Sequence, residues 1–280
     1  MEIRENVALS QYTTFKMGGT CKKLYVPQTT EELCELARTL TAPVKYIGGG
    51  SNLLINDQKT FEEAVLLREF DDSVEHLGDG VFVVGASLRI QKLIKAINAL
   101  GYGGIEYLYS VPALVGGAVY MNAGRGSSDG RCISDYIESV TALHGGEVKT
   151  LDRAECGFSY RNSVFKNGEY LILSVKFRFK SGTAEEFEAG IKERLDHCKQ
   201  HQDASKPNFG TVFCKADNRV MRFVAKLDKN ARGVHFSRKT RNWLINENGT
   251  FKQAISRIKR VKRLHRLIFK KCKTEVIIWN

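Results

Sequence analysis

Three consecutive glycines, Gly48, Gly49 and Gly50, constrain the fold of this chain more than any other stretch. They follow Lys45-Tyr46-Ile47, which is predicted to end a buried strand, and they precede Ser51-Asn52. Without Cβ atoms, the N–H groups of such a loop can meet an anion at close range. An ordinary tight turn is the alternative, but a turn rarely needs three glycines in a row, so a phosphate cradle is favoured. The loop matches neither a G-x-G-x-x-G fingerprint nor a P-loop, and alone it names no ligand.

The second glycine cluster lies in residues 103–126. Gly116, Gly117 and Gly124 leave room there for a flat ligand or for a second phosphate approach. Close helix packing on small residues is the alternative. Because two separate glycine-rich loops occur in one domain, a dinucleotide is the better prediction.

The pattern of the remaining segments alternates strands with helices. Apolar runs predict strands at residues 24–26, 64–67, 81–84, 137–143 and 170–180, and helices at 30–40, 88–100 and 184–199. In the run Ser-Val-Lys-Phe-Arg-Phe-Lys, which ends at Lys180, apolar and basic residues alternate with the period of a half-buried strand. This alternation of element types favours an α+β or α/β fold over an all-β barrel.

The composition is that of a soluble globular protein: 280 residues, 42% hydrophobic and 26% charged. No apolar run approaches the length of a membrane span, and the first residues do not form a signal peptide. The seven cysteines lack C-x-x-C pairs and zinc-like His spacings. We therefore expect reduced thiols, no metal and a cytoplasmic location.

The formal net charge of +12 suggests an anionic partner, whether nucleic acid, membrane or phosphorylated small molecule. Much of the charge lies in residues 252–273, which contain no carboxylate. The apolar residues of that stretch, among them Ile258, Val261 and Leu264, fall at helical spacing. This favours a surface helix with a solvated basic face. We expect neither a specific nucleic acid nor a membrane as a partner, whereas an anionic nucleotide fits the charge.

An ordered set of short motifs resembles the UDP-N-acetylenolpyruvoylglucosamine reductases, flavoenzymes of peptidoglycan precursor synthesis. No single motif is decisive, but the set covers nearly the whole chain in order. The motifs are Thr14-Phe15 with Gly18-Gly19, Gly48-Gly49-Gly50-Ser51-Asn52-Leu53-Leu54, Gly104-Ile105-Glu106, Val111-Pro112, Gly116-Gly117-Ala118, Asn122-Ala123-Gly124, Phe158-Ser159-Tyr160-Arg161, Ser163-Val164-Phe165-Lys166, Gly210-Thr211-Val212-Phe213 and Thr274-Glu275-Val276.

The resemblance implies an α+β protein with a two-lobed FAD-binding region of the vanillyl-alcohol-oxidase type and a C-terminal α+β substrate domain. The implied domains are residues 1–75, 76–182 and 183–280. FAD is expected to bind non-covalently, because no His or Cys is placed to tether it, with NADPH as reductant and a UDP-sugar as substrate. The residues implied to bind FAD are Tyr46, Gly48, Gly49, Gly50, Ser51, Asn52, Leu53, Val111, Pro112, Gly116, Gly117, Asn122, Ala123 and Gly124.

Three catalytic roles follow from the same resemblance. Arg161 would stabilise the negative charge that builds on the substrate carboxylate, because a guanidinium offers planar paired donors. Glu275 would help to stabilise the intermediate, and the hydroxyl of Thr211 would donate a proton to carbon. The family has a serine at this last position, so the threonine adds a methyl group that stiffens χ1.

Other departures from the family pattern occur along the chain. Ala113 replaces a glycine, Arg125-Gly126-Ser127-Ser128-Asp129 replaces an aromatic and glycine-rich segment, and Ser237-Arg238-Lys239-Thr240-Arg241-Asn242 lacks the family histidine. Two alternatives therefore stay open beside the family reaction. The chain could reduce a related enolpyruvyl ether on another nucleotide-linked sugar or polyol, or it could bind FAD without catalysis. Retention of Arg161, Thr211 and Glu275 argues against the second.

Overall fold

The computed structural model describes residues 1–40, 44–125, 130–229 and 231–280. Of the segment from Arg125 to Asp129, residues 126–129 lie outside the described residues. The chain divides into two compact units. Unit 1 contains Met1–Arg4, Leu24–Gly49 and Glu63–Asp196, and unit 2 contains Glu5–Lys23, Gly50–Glu62 and His197–Asn280. Within the described ranges, every helix is too short or too polar to cross a bilayer.

The helices confirm those predicted from the sequence, with small differences at their ends. The first begins after Thr29, whose side-chain oxygen accepts a hydrogen bond from the backbone of Glu32. The second begins two residues later than predicted, because the carbonyl of Leu88 accepts from Val115 (2.8 Å) outside the helix. The helices are α1 Thr30–Thr39, α2 Ile90–Ala99, α3 Val115–Tyr120, α4 Ala184–His201, α5 Asn218–Leu227 and α6 Phe251–Leu267, with 3-10 turns at Leu9–Tyr12, Glu106–Leu108, Ile133–Tyr136 and Val164–Asn167.

The strands are arranged in several small sheets and one larger one, with orders β1-β2-β5-β3, β10-β9-β11-β7-β6, β12-β8, β13-β16-β15, β14-β17 and β18-β4. All the predicted strands are present. Their bounds are β1 Glu2–Ala8, β2 Thr20–Val26, β3 Tyr46–Ile47, β4 Leu53–Ile55, β5 Thr60–Leu66, β6 Val74–Gly78, β7 Val81–Gly85, β8 Tyr102–Gly103, β9 Ile137–His144, β10 Glu147–Asp152, β11 Tyr170–Arg178, β12 Lys180–Ser181, β13 Asn208–Thr211, β14 Phe213–Lys215, β15 Gly233–Phe236, β16 Trp243–Glu247, β17 Lys273–Thr274 and β18 Ile277–Trp279.

The five-stranded antiparallel sheet forms the centre of unit 1. Along β11, Val175 and Phe177 are fully buried while Lys176 and Arg178 point to the solvent side, as the alternating sequence predicts. The predicted strand over 170–180 is divided in two, because the N–H of Phe179 pairs with the carbonyl of Gly80 (2.8 Å) before Lys180–Ser181 joins β8. The sheet and helix α2 share one apolar core, in which Phe82, Leu93 and Ile94 are fully buried.

Unit 2 packs helices α5 and α6 with the sheet β13-β16-β15. The apolar stripe predicted for the basic helix is confirmed, since Ala254, Ile258 and Val261 are buried in the core together with Val224 and Phe236. Helix α6 begins with a capping box formed by Thr250 and Gln253.

Part of the positive charge of helix α6 neutralises a buried carboxylate. Asp228 is only 2% exposed. It accepts hydrogen bonds from the backbone of Phe236 (3.1 Å) and from Arg260 (2.9 Å), and Arg257 lies 3.3 Å away. A buried carboxylate without such partners is strongly destabilising. These two arginines therefore have a structural function within unit 2.

Helix α6 ends in a Schellman motif with an unusual residue. The N–H of Lys270 donates to the carbonyl of His265 (3.0 Å), and the N–H of Phe269 donates to that of Arg266 (3.1 Å). Phe269 therefore occupies the left-handed position, with φ +54, where glycine is favoured. For an L-residue other than glycine this conformation costs about 1–2 kcal/mol.

We expect replacement of Asp228 by Ala to lower the free energy of unfolding of unit 2 by about 2–3 kcal/mol, because two arginines lose a buried counter-ion. The estimate is below that for a fully buried pair, since Arg257 and Arg260 are 18% and 34% exposed. Urea denaturation followed by tryptophan fluorescence reports on this unit, because both tryptophans, Trp243 and Trp279, lie in it. Arg263→Gln, on the exposed face of the same helix, is the control. A loss no larger than that of this control would contradict the structural role of Asp228.

Candidate active site

The triple-glycine loop leaves the end of a buried parallel strand in unit 1. Strand β3 pairs in parallel with β5, with Ile47 opposite Leu66, and the carbonyl of Ile47 accepts from Leu67 (2.8 Å). The carbonyl of Gly49 then accepts from the guanidinium of Arg68 (3.3 Å). Tyr46, just before the loop, is partly buried, and this burial raises the pKa of its hydroxyl, which stays protonated near neutral pH. The loop is thus anchored on its N-terminal side by backbone and side-chain hydrogen bonds.

The packing of unit 1 does not require glycine at three of the predicted positions, Gly48, Gly49 and Gly117. A Cβ on Gly48 would meet only Leu114, at 3.8 Å, and one on Gly49 would lie 3.4 Å from the carbonyl oxygen of Pro112, an ordinary contact. A Cβ on Gly117 would meet nothing within 4 Å. The φ angles of these three glycines also lie outside the left-handed region that favours glycine. Their missing side chains leave a cradle that a Cβ would fill.

The other predicted glycines are explained by close contacts within the fold. Gly50 has φ +65, and a Cβ there would lie 1.9 Å from the carbonyl oxygen of Tyr12. A Cβ on Gly124 would lie 2.3 Å from the carbonyl oxygen of Arg131, and one on Gly116 would lie 3.0 Å from Cβ of Ala86. Close packing, the alternative given for the second cluster, therefore explains Gly116 and Gly124. It does not explain Gly117.

The two glycine clusters meet at one wall of unit 1. The atoms nearest to Gly48 and Gly49 belong to Pro112 and Leu114, which directly precede helix α3 and Gly117. The N–H of Gly116 is held by the carbonyl of Ala86 (2.9 Å), so this wall is fixed to the larger sheet. Backbone without side chains at these glycines fits the close approach of a dinucleotide pyrophosphate.

Arg161 is fixed by the second glycine cluster. Its guanidinium donates to the carbonyls of Asn122 (3.1 Å) and Gly124 (2.7 Å), and its own φ is +54. The side chain of Asn122 is buried and donates to the carbonyl of Ser159 (3.0 Å). In this structure Asn122 and Gly124, predicted to bind the cofactor, hold the predicted catalytic arginine. An open cavity of about 690 Å³ lies beside them, lined among others by Asn122, Ser159 and Tyr160.

Thr211 stands at an irregularity of strand β13 in unit 2. The preceding Gly210 has φ +75, and its N–H donates to the side-chain oxygen of Asn208 (3.0 Å). Thr211 pairs with Trp243 across the sheet. Asn242 holds the backbone just after it, accepting from the N–H of Phe213 (3.1 Å) and donating to its carbonyl (2.8 Å). The segment that carries the hydroxyl is therefore fixed on both sides.

Glu275 is brought next to Thr211 within unit 2. Its N–H donates to the carbonyl of Val212 (2.8 Å), the residue after Thr211. Its carbonyl accepts from the side chain of Asn52 (3.3 Å), and the carbonyl of Asn52 accepts from Ile277 (3.0 Å). Asn52 thus links the second half of the glycine loop to Glu275. Leu53, one residue further on, is buried and begins strand β4.

The cysteines beside the matched motifs have no catalytic features. All seven cysteines are free thiols, as predicted. Cys156 is fully buried, and this burial raises its pKa to about 12, so it remains a neutral thiol at physiological pH.

Two supporting residues were not identified from the sequence in these roles. Arg68 follows a strand as a single basic residue, without any motif to mark it, and Asn242 belongs to the segment that lacks the family histidine. Their hydrogen bonds to the backbone of Gly49 and Phe213 depend on tertiary structure. No local sequence signal predicts such long-range contacts.

The fold and the open cradle define an FAD-binding protein of the α+β class. Residues 22–152 match the family described as "FAD binding domain". The predicted α+β fold class with an FAD-binding region is confirmed.

The more specific assignment comes from relatives matched over most of the chain. The chain is 31% identical to the UDP-N-acetylenolpyruvoylglucosamine reductase of Thermotoga maritima, over 97% of this chain and 96% of the relative. It is 35% identical to that of Leptospira interrogans, over 75% of this chain and 66% of the relative. The crystal structure of the enzyme from Thermus caldophilus superposes with a TM-score of 0.81 and 26% identity, covering 100% of both chains. The chain belongs to the UDP-N-acetylenolpyruvoylglucosamine reductase family. The predicted FAD cofactor is thereby confirmed, and membership of this family supports the prediction of a flavin-dependent oxidoreductase.

We expect Gly48→Ala and Gly117→Ala to fold normally and to bind FAD about 10- to 100-fold more weakly, because each new Cβ enters the cradle at a steric cost of about 1–3 kcal/mol. Flavin absorbance of the supernatant after denaturation measures the bound, non-covalent FAD, and thermal melting of the apoprotein measures folding.

Gly50→Ala is the matched control, because its Cβ collides with backbone at 1.9 Å and should lower the melting temperature of the apoprotein itself. If Gly48→Ala and Gly117→Ala retain a full complement of FAD, the cradle does not hold the cofactor.

Proposed function

We propose that this chain reduces the enolpyruvyl ether of UDP-N-acetylglucosamine to UDP-N-acetylmuramate in peptidoglycan precursor synthesis. The observation that carries the proposal is that the backbone of Glu275 lies beside the segment that carries Thr211 in unit 2, because the N–H of Glu275 donates to the carbonyl of Val212 (2.8 Å). The relatives are reductases named for the same substrate, which supports this reaction. The match spans 66% of the length of the Leptospira relative.

The residues that would hold FAD are those of the cradle, Gly48, Gly49 and Gly117, with Val111 and Pro112 beside them. When bound and reduced by NADPH, FAD supplies the hydride that the terminal carbon of the enolpyruvyl group requires. Every glycine of the cradle acts by leaving space, so its contribution is binding and orientation. Tyr46 and the Ser51-Asn52 pair continue the same loop and are proposed as further contacts.

Arg161 would stabilise the charge that develops on the substrate carboxylate. Hydride addition to the terminal carbon leaves an enolate whose negative charge is shared with the carboxyl group, and a fixed guanidinium lowers the energy of that state. Its two hydrogen bonds to the carbonyls of Asn122 and Gly124 set the plane of the group before substrate arrives. Little reorganisation is then needed during the reaction.

Thr211 would deliver the proton that completes the reduction. A hydroxyl is a poor acid by itself, so it needs a fixed position. Glu275, whose backbone is brought near that of Thr211 by the pairing of Phe213 with Thr274, would help to stabilise the intermediate. The methyl group of Thr211 restricts χ1, which limits the hydroxyl to fewer directions than a serine would allow.

The proposed partners are an anionic nucleotide-sugar and NADPH, without specific nucleic acid. Arg257 and Arg260 bind Asp228, and Lys270 binds Asp217, so these cations of the basic stretch have partners inside the protein. The seven free thiols fit a reducing compartment, and a cytoplasmic location is proposed. The division into residues 1–75, 76–182 and 183–280 remains our proposal for two FAD-binding subdomains and a substrate domain.

Thr211→Ala should leave reduction of the flavin by NADPH nearly unchanged, because that step needs no proton donor to substrate carbon. Reoxidation of the reduced enzyme by the enolpyruvyl substrate should slow by about 10²–10⁴-fold, the usual contribution of a general acid. Thr211→Ser, the matched control, should preserve or raise the rate. Anaerobic rapid mixing of the pre-reduced protein with substrate separates the two steps.

Reoxidation of Thr211→Ala at the rate of the unmodified protein would remove the hydroxyl from the mechanism. Failure of the unmodified protein to react with this substrate, combined with rapid reoxidation by another enolpyruvyl nucleotide-sugar, would instead identify a paralogue. If no such compound reoxidises the flavin, the non-catalytic alternative holds.

A further inference from the structure

The end of helix α6 presents three consecutive apolar side chains to solvent. Leu267 is 73% exposed, Ile268 is 43% exposed and Phe269 is 98% exposed. We call these three residues the apolar tip. Single exposed apolar residues are common on protein surfaces, whereas a nearly fully exposed phenylalanine next to two further apolar residues is a feature of interaction sites.

The backbone conformation of the tip disfavours a phenylalanine, so its presence there calls for an explanation. Phe269 occupies the left-handed C′ position of the helix, where glycine is the favoured residue. Its ring is almost entirely in solvent, so packing in the fold does not compensate for the strained backbone. A strained backbone at an exposed side chain is a pointer to function outside the fold.

The charged residues that flank the apolar tip in the sequence are all basic. Arg263 and Arg266 precede it and Lys270 and Lys271 follow it, all of them exposed, and the sequence from Lys252 to Lys273 contains no carboxylate. A hollow of about 370 Å³ adjoins the ring of Phe269, and the residues that line it are Lys215, Ala216, Asp217, Phe269, Lys270 and Lys271. Asp217 binds Lys270, which leaves the balance of the hollow positive.

We infer that the apolar tip and its basic surroundings form a docking surface for an anionic lipid bilayer. A projecting aromatic side chain inserts at the boundary between headgroups and acyl chains without needing a complementary pocket, and clustered Lys and Arg attract anionic headgroups. The lysines of the hollow beside Phe269 would meet lipid phosphates while the ring enters the bilayer. A second copy of the same surface is disfavoured as partner, because like charges would face each other.

This inference replaces the sequence-based expectation that a membrane is not a partner. That expectation rested on the solvated basic face predicted for this helix and on the lack of a segment long enough to cross a bilayer. A surface-bound helix end does not need such a segment. It goes beyond the proposed reaction, and the residues involved are distinct from Arg161, Thr211, Glu275 and the glycine cradle.

The test is co-sedimentation of the full-length, FAD-loaded protein with vesicles at low ionic strength. Binding to vesicles of phosphatidylcholine with phosphatidylglycerol should exceed binding to phosphatidylcholine alone by at least about tenfold, and it should weaken as salt rises. The double variant R266Q/K271Q should lose about thirtyfold in partition coefficient, at about tenfold per 1.4 kcal/mol and about 1 kcal/mol per removed charge. Lys95 and Lys180, exposed in unit 1, provide the matched control K95Q/K180Q, which should bind normally.

Phe269→Gly separates a docking role from a structural one, because the two roles predict opposite changes in stability. Glycine relieves the left-handed backbone, so the melting temperature should stay the same or rise by about 1–4 °C. Vesicle binding should fall about tenfold or more, since the inserted aromatic surface is lost. Leu77→Ala, which removes a 52% exposed side chain of unit 1, is the control and should bind normally. Reductase activity without vesicles should be that of the unmodified protein.

Several outcomes would overturn the inference. Lack of partition to anionic vesicles at about 1 mM lipid is the first, and binding unchanged by Phe269→Gly is the second. A lower melting temperature for Phe269→Gly would show that the ring is needed by the fold. Retention on polyglutamate without vesicle binding would assign the surface to an acidic protein, and self-association abolished by Phe269→Gly would assign it to a second copy of the chain.

Discussion

The parallel pairing of strand β18 with strand β4 is the interaction on which the site in unit 2 depends. Ile277, Ile278 and Trp279 lie opposite Leu53, Leu54 and Ile55, so residues more than two hundred positions apart become neighbours. This pairing sets Glu275 beside Asn52 on one side and beside Val212 on the other. Leu54 and Ile55 are fully buried, so a register shift would move apolar side chains out of the core. The position of the Glu275 backbone is therefore fixed by the packing of strands β4 and β18.

The glycines show how one residue type meets two different demands in a single loop. Gly50 is needed because backbone passes where its side chain would be. Gly48 and Gly49 are under no such demand, because a Cβ on either would make only ordinary van der Waals contacts. Of the three successive glycines, one is thus required by the fold, and the other two are attributed to the expected cofactor. The same separation holds in the second cluster, between Gly124, which lies against backbone, and Gly117, which lies in open space.

The sequence predicted the element types well, because apolar periodicity reports directly on burial. The strands over 81–84 and 137–143 and the basic helix all form, with the buried faces that their patterns indicate. Ends of elements were less predictable, as at Leu88 and Phe179, where hydrogen bonds to distant backbone decide the boundary. The identities of the site residues came from the family resemblance. Their supports, Arg68, Asn242 and the carbonyls that hold Arg161, came only from the three-dimensional structure.

The discontinuity of unit 2 has a consequence for the order in which the protein forms during synthesis. This unit is assembled from Glu5–Lys23, Gly50–Glu62 and His197–Asn280, whereas unit 1 needs nothing beyond Asp196. A ribosome adds about 5–20 residues per second, so unit 1 can be complete several seconds before residues 277–279 exist. During that interval strand β4 lacks strand β18, with which it forms a two-stranded sheet, and its apolar residues remain an open strand edge of the kind that chaperones protect from aggregation. The contact that fixes Glu275 is therefore among the last that the nascent chain can make.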